Sequence, residues 1–182
     1  MNDQQHTIYT IGHSTRTSDE FIQMLKSFEV AHLIDVRRFP SSRKYPHFNK
    51  SLLQQALQKD EIAYTHIEAL GGRRPAQKGS VNTRWRNASF RGYADYMQTH
   101  EFLNAVKALE QIAAKTITAY MCSEAVWWRC HRSMISDYLK AKGWTVLHIL
   151  AEGKADEHPY TSPARVFDKN VFYYDEDLFN QK

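Results

Sequence analysis

Short apolar strand-like runs alternate along this chain with amphipathic helix-like segments, and this alternation limits the possible folds more than any other feature. The predicted strands are residues 7–11, 31–36, 62–67, 116–121 and 144–150. The first predicted helix begins at a capping box, residues 17–20. The other predicted helices cover residues 49–59, 93–98, 100–114 and 133–142. Strands that alternate with helices need crossover connections. The sequence therefore predicts an α/β fold with a mostly parallel sheet of about five strands and helices on both faces.

The length of 182 residues fits one compact domain, residues 1–182, with a core at 7–150 and an irregular C-terminal extension at 151–182. Within the extension, residues 166–174 form one aromatic strand candidate. No apolar run approaches the roughly 18 residues of a membrane helix, and the polar N-terminus lacks a secretory signal. With only two cysteines, we expect a reduced, cytoplasmic protein without a structural disulfide and without a membrane partner.

Basic residues are concentrated in the segments that follow the predicted strands. Residues 37–50 contain five Lys or Arg and no acid, and residues 68–91 contain six Lys or Arg with one acid, Glu68. Together they hold eleven of the 24 basic residues, in a chain of formal net charge +4. Ligands of such sheets bind beyond the carboxyl ends of the strands. The sequence therefore predicts an anion-binding site at that edge.

The segment 122–132 is the strongest chemical signal. Cys122 ends the fourth predicted strand, while Cys130, His131 and Arg132 begin the next helix, whose N-terminal dipole attracts anions and lowers a thiol pKa. Glu124 is a candidate acid, base or orienting partner for His131. We predict Cys122, Glu124, Cys130 and His131 as catalytic residues. The alternative is that the cysteines are small core residues and that His131 and Arg132 only cap the helix.

Six residues are predicted to bind the substrate, because each follows a strand and offers an anion contact. They are His13, Ser14, Arg37, Arg38, Arg73 and Arg132. Gly12 permits a tight turn that frees His13 and Ser14, and arginine matches phosphate or carboxylate through two parallel hydrogen bonds. The alternative for Arg37 is a structural pair with Asp35 that fixes the loop.

A metal site is a second possibility for the same segment. Cys122, Cys130 and His131 are zinc-ligand types, and His13 would supply a fourth ligand. The spacing matches no common zinc pattern, and adjacent Cys and His ligands are difficult to direct at one ion. The primary prediction therefore assigns no metal ligand and no cofactor.

Nucleic-acid binding is the third possibility. Trp85 lies between Arg84 and Arg86, and Trp127 and Trp128 precede Arg129, an interleaving of aromatic and basic residues that suits stacking on bases. We expect at least one of Trp127 and Trp128 to be a core residue.

Several ordered motifs resemble the domain-of-unknown-function 488 family over roughly residues 7–170. They are Tyr9-Thr-Ile-Gly-His-Ser14, Asp35-Val-Arg-Arg-Phe-Pro40, Gly71-Gly-Arg73, Phe90-Arg-Gly-Tyr-Ala-Asp-Tyr96, Cys122-Ser-Glu124, Cys130-His-Arg132 and His158-Pro-Tyr160. The resemblance implies one compact α/β domain and singles out the Cys-Glu and Cys-His-Arg segment. It implies no particular activity.

A fainter similarity links the chain to rhodanese-like domains, in which a strand ends in a reactive cysteine within an anion-binding loop. Residues 116–122, the following helix and residues 143–147 show that order, and residues 33–37 are similar to a rhodanese strand. The loop after Cys122 is longer than in those domains and contains a second cysteine.

These observations together predict an enzyme with a thiol-containing pocket, either a cysteine-dependent transferase or a hydrolase. Its expected partner is an anionic small molecule, phosphate-bearing or nucleotide-like. The sequence leaves open the substrate, the reaction, the reactive cysteine, the oligomeric state and the role of residues 151–182.

Overall fold

The computed structural model describes residues 6–175, in which eight strands and five α-helices follow one another. The strands are β1 (Thr7–Gly12), β2 (His32–Asp35), β3 (Ala63–His66), β4 (Thr118–Cys122), β5 (Thr145–Ala151), β6 (Lys154–Glu157), β7 (Arg165–Phe167) and β8 (Asn170–Phe172). The helices are α1 (Ser18–Lys26), α2 (Lys50–Lys59), α3 (Ala88–Met97), α4 (His100–Ala113) and α5 (Arg132–Ala141).

The central sheet has six strands in the order β3-β2-β4-β1-β5-β6, and this confirms the predicted α/β class. β1, β2, β3, β4 and β5 pair in parallel, whereas β6 pairs with β5 antiparallel at the edge. The carboxyl ends of the five parallel strands therefore face the same edge of the sheet.

Helices cover both faces of this sheet. Along β4, Ala119 and Met121 join the apolar cluster under α1 and α2, while Tyr120 joins the cluster under α3, α4 and α5. Phe21 of α1 and Leu53 of α2 also belong to the first cluster. Because successive side chains of a strand point to opposite faces, a central strand covered on both sides is buried throughout, as β4 is.

Local signals set several helix boundaries. α1 begins at the predicted capping box, where the Thr17 side chain accepts from the Glu20 backbone and Glu20 accepts from the Thr17 backbone. α3 begins five residues before the predicted start at residue 93. The Asn87 side chain caps this helix, because it accepts from the backbone N–H groups of Ser89 and Phe90. The apolar periodicity of residues 88–92 is weak, so the sequence pattern did not indicate this start.

The C-terminal extension is more regular than the predicted irregular segment. β6 extends the sheet, and the strand predicted at 166–174 is instead a hairpin of β7 and β8. Asp168 and Lys169 at its turn both have positive φ, as a two-residue hairpin turn requires. Residues 176–182 of the extension lie outside the described residues.

Within residues 6–175, no helix combines the length and the apolar character that crossing a membrane requires.

Candidate functional site

A cavity of about 840 Å³ opens at the carboxyl ends of the parallel strands. Its wall includes His13 after β1, Arg37 after β2 and Cys122 at the end of β4. Other lining residues include Ser14, Arg38, Phe39, Lys44, Tyr45, Gly72, Arg73, Phe90, Tyr93, Glu124, Arg129, Cys130 and His131. Its volume lies in the range of small-molecule and cofactor sites.

The position of the cavity follows from the chain path. The connection after β1 leads to α1 on one face of the sheet, whereas the connection after the adjacent β4 leads to α5 on the other face. Divergent connections leave a crevice at such a switch point. Gly12 permits the β4 loop to pass over β1, because a Cβ at residue 12 would lie 1.9 Å from the Glu124 carbonyl oxygen.

Cys122, Cys130 and His131 form a compact cluster in this cavity. Their sulfur and ring-nitrogen atoms all lie within 4.8 Å of one another, and both cysteines are unpaired and buried. Cys130 Sγ lies 3.6 Å from His131 Nδ1. Three of the four predicted catalytic residues are therefore in mutual contact.

The electrostatic surroundings of the two thiols differ. A hydrogen bond to Cys130 and burial raise the pKa of Cys122. Burial also acts to raise the pKa of Cys130, but the hydrogen bond with Cys122 and the charge of Arg132 outweigh it and lower that pKa. A negative charge on this pair is therefore favoured on Cys130, which lies two residues before the first residue of α5.

The backbone orients His131, and no contact with Glu124 contributes. Its Nε2 lies 3.2 Å from the carbonyl oxygen of Val36. Since a carbonyl only accepts, Nε2 is the protonated nitrogen, and the Nδ1 lone pair faces Cys130. Glu124 is exposed at the cavity wall, where its carboxylate accepts from the Val126 backbone N–H. The hypothesis that Glu124 orients His131 is wrong in this geometry.

Arg132 lies behind the cavity wall, although we predicted it as a substrate ligand. Its side chain is 1% exposed, donates to Thr10 Oγ1 at 2.9 Å and donates to the Glu124 carbonyl at 2.5 Å. These contacts hold the β4 loop against β1. Arg132 therefore acts on the site through its charge near Cys130 and through the loop.

Arg37 lines the cavity, but most of its hydrogen-bonding capacity is used within the protein. Its Nε and Nη2 donate to the buried carboxylate of Asp35, and Nη2 also donates to the Phe48 carbonyl. Nη1 lies 3.4 Å from His13 Nε2. This pairing is the structural role that we gave as the alternative for Arg37.

His13 is buried and neutral. Burial lowers the pKa of His13 to about 4, so the ring carries no proton charge near neutral pH. Its Nδ1 lies 2.9 Å from the Ser14 carbonyl and donates to it, which leaves Nε2 to accept from Arg37. The ring also stacks on Phe48 at 4.1 Å between centroids. His13 therefore positions Arg37.

The remaining cations of the wall are available to a ligand. Arg73 and Arg129 are exposed, as is Lys44, while Arg38 is half-buried and donates to the Arg73 carbonyl. Among the described residues that line the cavity, Glu124 is the single carboxylate. The wall therefore carries an excess of positive charge, as the basic segments predict.

The expectation that Trp127 or Trp128 is a core residue is wrong, because Trp127 is half-buried and Trp128 is exposed. Trp127 stacks on His148 at 4.4 Å between ring centroids, while Trp128 is 59% exposed. Trp85 is half-buried and stacks on Phe90.

Sequence reasoning missed a buried polar network beside the cavity loop. His148 Nε2 lies 2.8 Å from His158 Nδ1, and His158 Nε2 lies 3.0 Å from the carboxylate of Asp137. Asp137 also accepts from Thr161 and Tyr173. The His158-Pro-Tyr motif was the available signal, but nothing in the sequence pairs it with α5.

His148 gives a pH-dependent prediction. Burial, then His158 and Arg132, lower the pKa of His148 to about 2, against about 6.5 in an unfolded chain. Between these values the unfolded state binds a proton that the folded state does not. The His148 contribution is thus intact above pH 6.5 and is lost as the pH falls, by up to about 1.4 kcal/mol per pH unit. Urea unfolding from pH 7 to 5 should show a shallower loss for His148→Gln, and equal slopes would contradict this.

Comparisons with known proteins identify one family. A family model with the description "Domain of unknown function DUF488" matches residues 17–139. The match contains Arg37, Arg73 and the whole cluster Cys122, Cys130 and His131. No curated protein and no solved structure matches the chain, and the similarity to rhodanese-like domains stays a prediction.

Proposed function

Because the chain belongs to the family described as Domain of unknown function DUF488, whose description names no activity, we propose its function from the site itself. The protein is an enzyme that binds an anionic, phosphate-bearing or nucleotide-like substrate in the cavity. Its chemistry takes place at the cluster of Cys122, Cys130 and His131. A transferase and a hydrolase are the two reaction classes that this cluster suits.

The observation that carries the proposal is the meeting of two features in one cavity. The floor holds two buried sulfur atoms and an imidazole nitrogen within 4.8 Å of one another. The wall holds several cationic side chains, and Glu124 is the single carboxylate among its described residues. An anion held by Arg73 and Arg129 would lie in the same 840 Å³ space as the cluster.

A matched set of arginine variants tests the anion site. Arg73→Ala and Arg129→Ala should each weaken binding of inorganic phosphate and of adenosine monophosphate about 10-fold, since a charge-assisted hydrogen bond contributes about 1.5 kcal/mol. Arg86→Ala removes an exposed arginine outside the cavity and should leave both affinities unchanged. Isothermal titration calorimetry at two salt concentrations measures these values.

A second readout connects the anion with the cluster. Phosphate should slow the alkylation of Cys122 and Cys130 by iodoacetamide in the wild type, as read by peptide mass spectrometry, and should protect less in Arg73→Ala. The proposal would be overturned if all the variants bound phosphate and adenosine monophosphate equally well, or if phosphate did not change the alkylation rates.

Nucleic-acid binding is the second candidate, and two exposed aromatic residues favour it. Phe39 lines the cavity and is 64% exposed, and Trp128, 59% exposed, precedes the lining residue Arg129. The same titration with a single-stranded oligonucleotide in place of adenosine monophosphate separates the two candidates. Much tighter and strongly salt-dependent binding of the oligonucleotide would favour this second function.

A further inference from the structure

The spacing of Cys130 and His131 matches that of two ligands of a tetrahedral zinc ion. Zinc bonds of about 2.3 Å to sulfur and about 2.0 Å to nitrogen, at tetrahedral angles, place those two ligand atoms about 3.5 Å apart. Cys130 Sγ and His131 Nδ1 are 3.6 Å apart. The sequence argued against adjacent Cys and His ligands. The turn at residues 130–131 removes that objection, because it brings the two side-chain atoms to the spacing of two ligands of one ion.

The orientation of His131 is that of a metal ligand. A histidine that binds a metal through one nitrogen commonly donates the N–H of the other to a carbonyl or carboxylate, which fixes the tautomer. His131 meets this condition, because Nε2 donates to Val36 and the bare Nδ1 faces the sulfur atoms. Gly72 keeps the space beside that nitrogen open, since a Cβ at residue 72 would lie 2.7 Å from Nδ1.

We propose that Cys122, Cys130 and His131 bind a zinc ion whose fourth position is open to the basic cavity. Two thiolates and one imidazole favour zinc over the hard cations, which prefer oxygen ligands. Among the described residues, no fourth Cys, His, Asp or Glu belongs to the group. The earlier candidate for that place, His13, instead bonds Ser14 and Arg37.

The open position defines the chemistry and rests on the proposed function. Three protein ligands with one free position are typical of catalytic zinc, whereas structural sites are closed by four. A water molecule on the ion loses one proton to solvent, and the resulting hydroxide oxygen bonds to the electrophilic atom of the bound anionic substrate. The bond from that atom to its leaving group breaks, and the leaving group departs with the electron pair and takes up a proton. The inference therefore selects hydrolysis from the two reaction classes.

Titration of the full-length, chelator-treated and reduced chain tests the site. Zinc, in competition with a chromophoric chelator, should bind one ion per chain. Cobalt, as the spectroscopic probe, should give a sulfur-to-metal charge-transfer band and the visible bands of a four-coordinate ion. Phosphate added to the cobalt form should shift the visible bands, because it reaches the open position.

Matched variants assign the ligands. Cys122→Ser, Cys130→Ser and His131→Gln should each weaken zinc binding about 100-fold or more, and Gly72→Ala, which keeps all three ligands but displaces the ring, about 10-fold. His100→Gln removes an exposed histidine at the start of α4 and should bind as the wild type does. Circular dichroism without metal confirms that each variant is folded.

The outcomes separate this inference from the proposed function. Weak zinc binding that is equal in the wild type and the Cys130→Ser variant overturns the metal site, even if phosphate still protects the cluster. If phosphate does not shift the visible bands of the cobalt form, the inference that the fourth coordination position is open is wrong. If zinc binds tightly but the arginine variants leave phosphate affinity unchanged, the metal site is supported and the proposed function is wrong.

Discussion

Replacing Asp35 with asparagine should lower the free energy of unfolding by about 3 to 5 kcal/mol, the usual cost of breaking a buried ion pair from one side. The Asp35 carboxylate is fully buried and accepts from the Arg37 guanidinium at 2.6 Å and from the Tyr64 hydroxyl at 2.7 Å. The substitution leaves the guanidinium without a counter-charge in the interior. Urea unfolding followed by tryptophan fluorescence at pH 7 measures the change.

The exposed ion pair of Lys26 and Asp60 provides the matched control. Asp60→Asn makes the same chemical change at a solvent-screened pair, and the free energy of unfolding should change by less than about 1 kcal/mol. The structure indicates that the Asp35 carboxylate stabilises the buried Arg37 guanidinium. Similar effects of the two substitutions on the free energy of unfolding would contradict this role.

The second large effect is expected at Asp137. Its buried carboxylate accepts from His158, Thr161 and Tyr173, which belong to the C-terminal extension, while Asp137 lies on α5. Asp137→Asn replaces one acceptor oxygen with a donor that faces other donors. We expect a loss of about 3 kcal/mol, because buried donors without a partner cost about 1 to 3 kcal/mol each.

Hydrogen exchange locates the effect of this substitution. Amide protection should decrease in residues 158–173 more than in the parallel strands, because the carboxylate connects these residues to α5. Asp156→Asn, at an exposed position of β6, is the control and should change stability by less than about 0.5 kcal/mol. A uniform loss of protection across the sheet would contradict a local anchoring role for Asp137.

Both networks bear on the cavity without contributing a free ligand group to it. The pair of Asp35 and Arg37 fixes the turn after β2, and the carbonyl of Val36 in that turn orients His131. His148, at the end of the second network, stacks on Trp127 in the loop that carries Cys130. The geometry of the cluster therefore depends on buried charges on both sides of it, an example of support for a site by residues that do not touch the ligand.

Local sequence signals were sufficient where the interactions are themselves local. The capping box of α1 joins residues three apart, and strand-forming runs are legible because their side chains are buried on both faces. β6 was not predicted, because its side chains are not buried on both faces. It lies at the sheet edge, is largely exposed and consists of Lys154-Ala-Asp-Glu157, so no apolar pattern identifies it.

By itself, the sequence determined the α/β class, the parallel strands and the edge at which Cys122, Cys130 and His131 meet a basic wall. These follow from periodicity and from the order of segments, which are properties of the chain alone. Only the tertiary structure decided which side chains are free. It paired Arg37 with Asp35, placed Arg132 behind the wall and turned His131 towards the two sulfur atoms. The partners of Arg132 and His131 include atoms 122 and 95 residues away, and hydrogen bonds over such separations are set by packing, which no local pattern records.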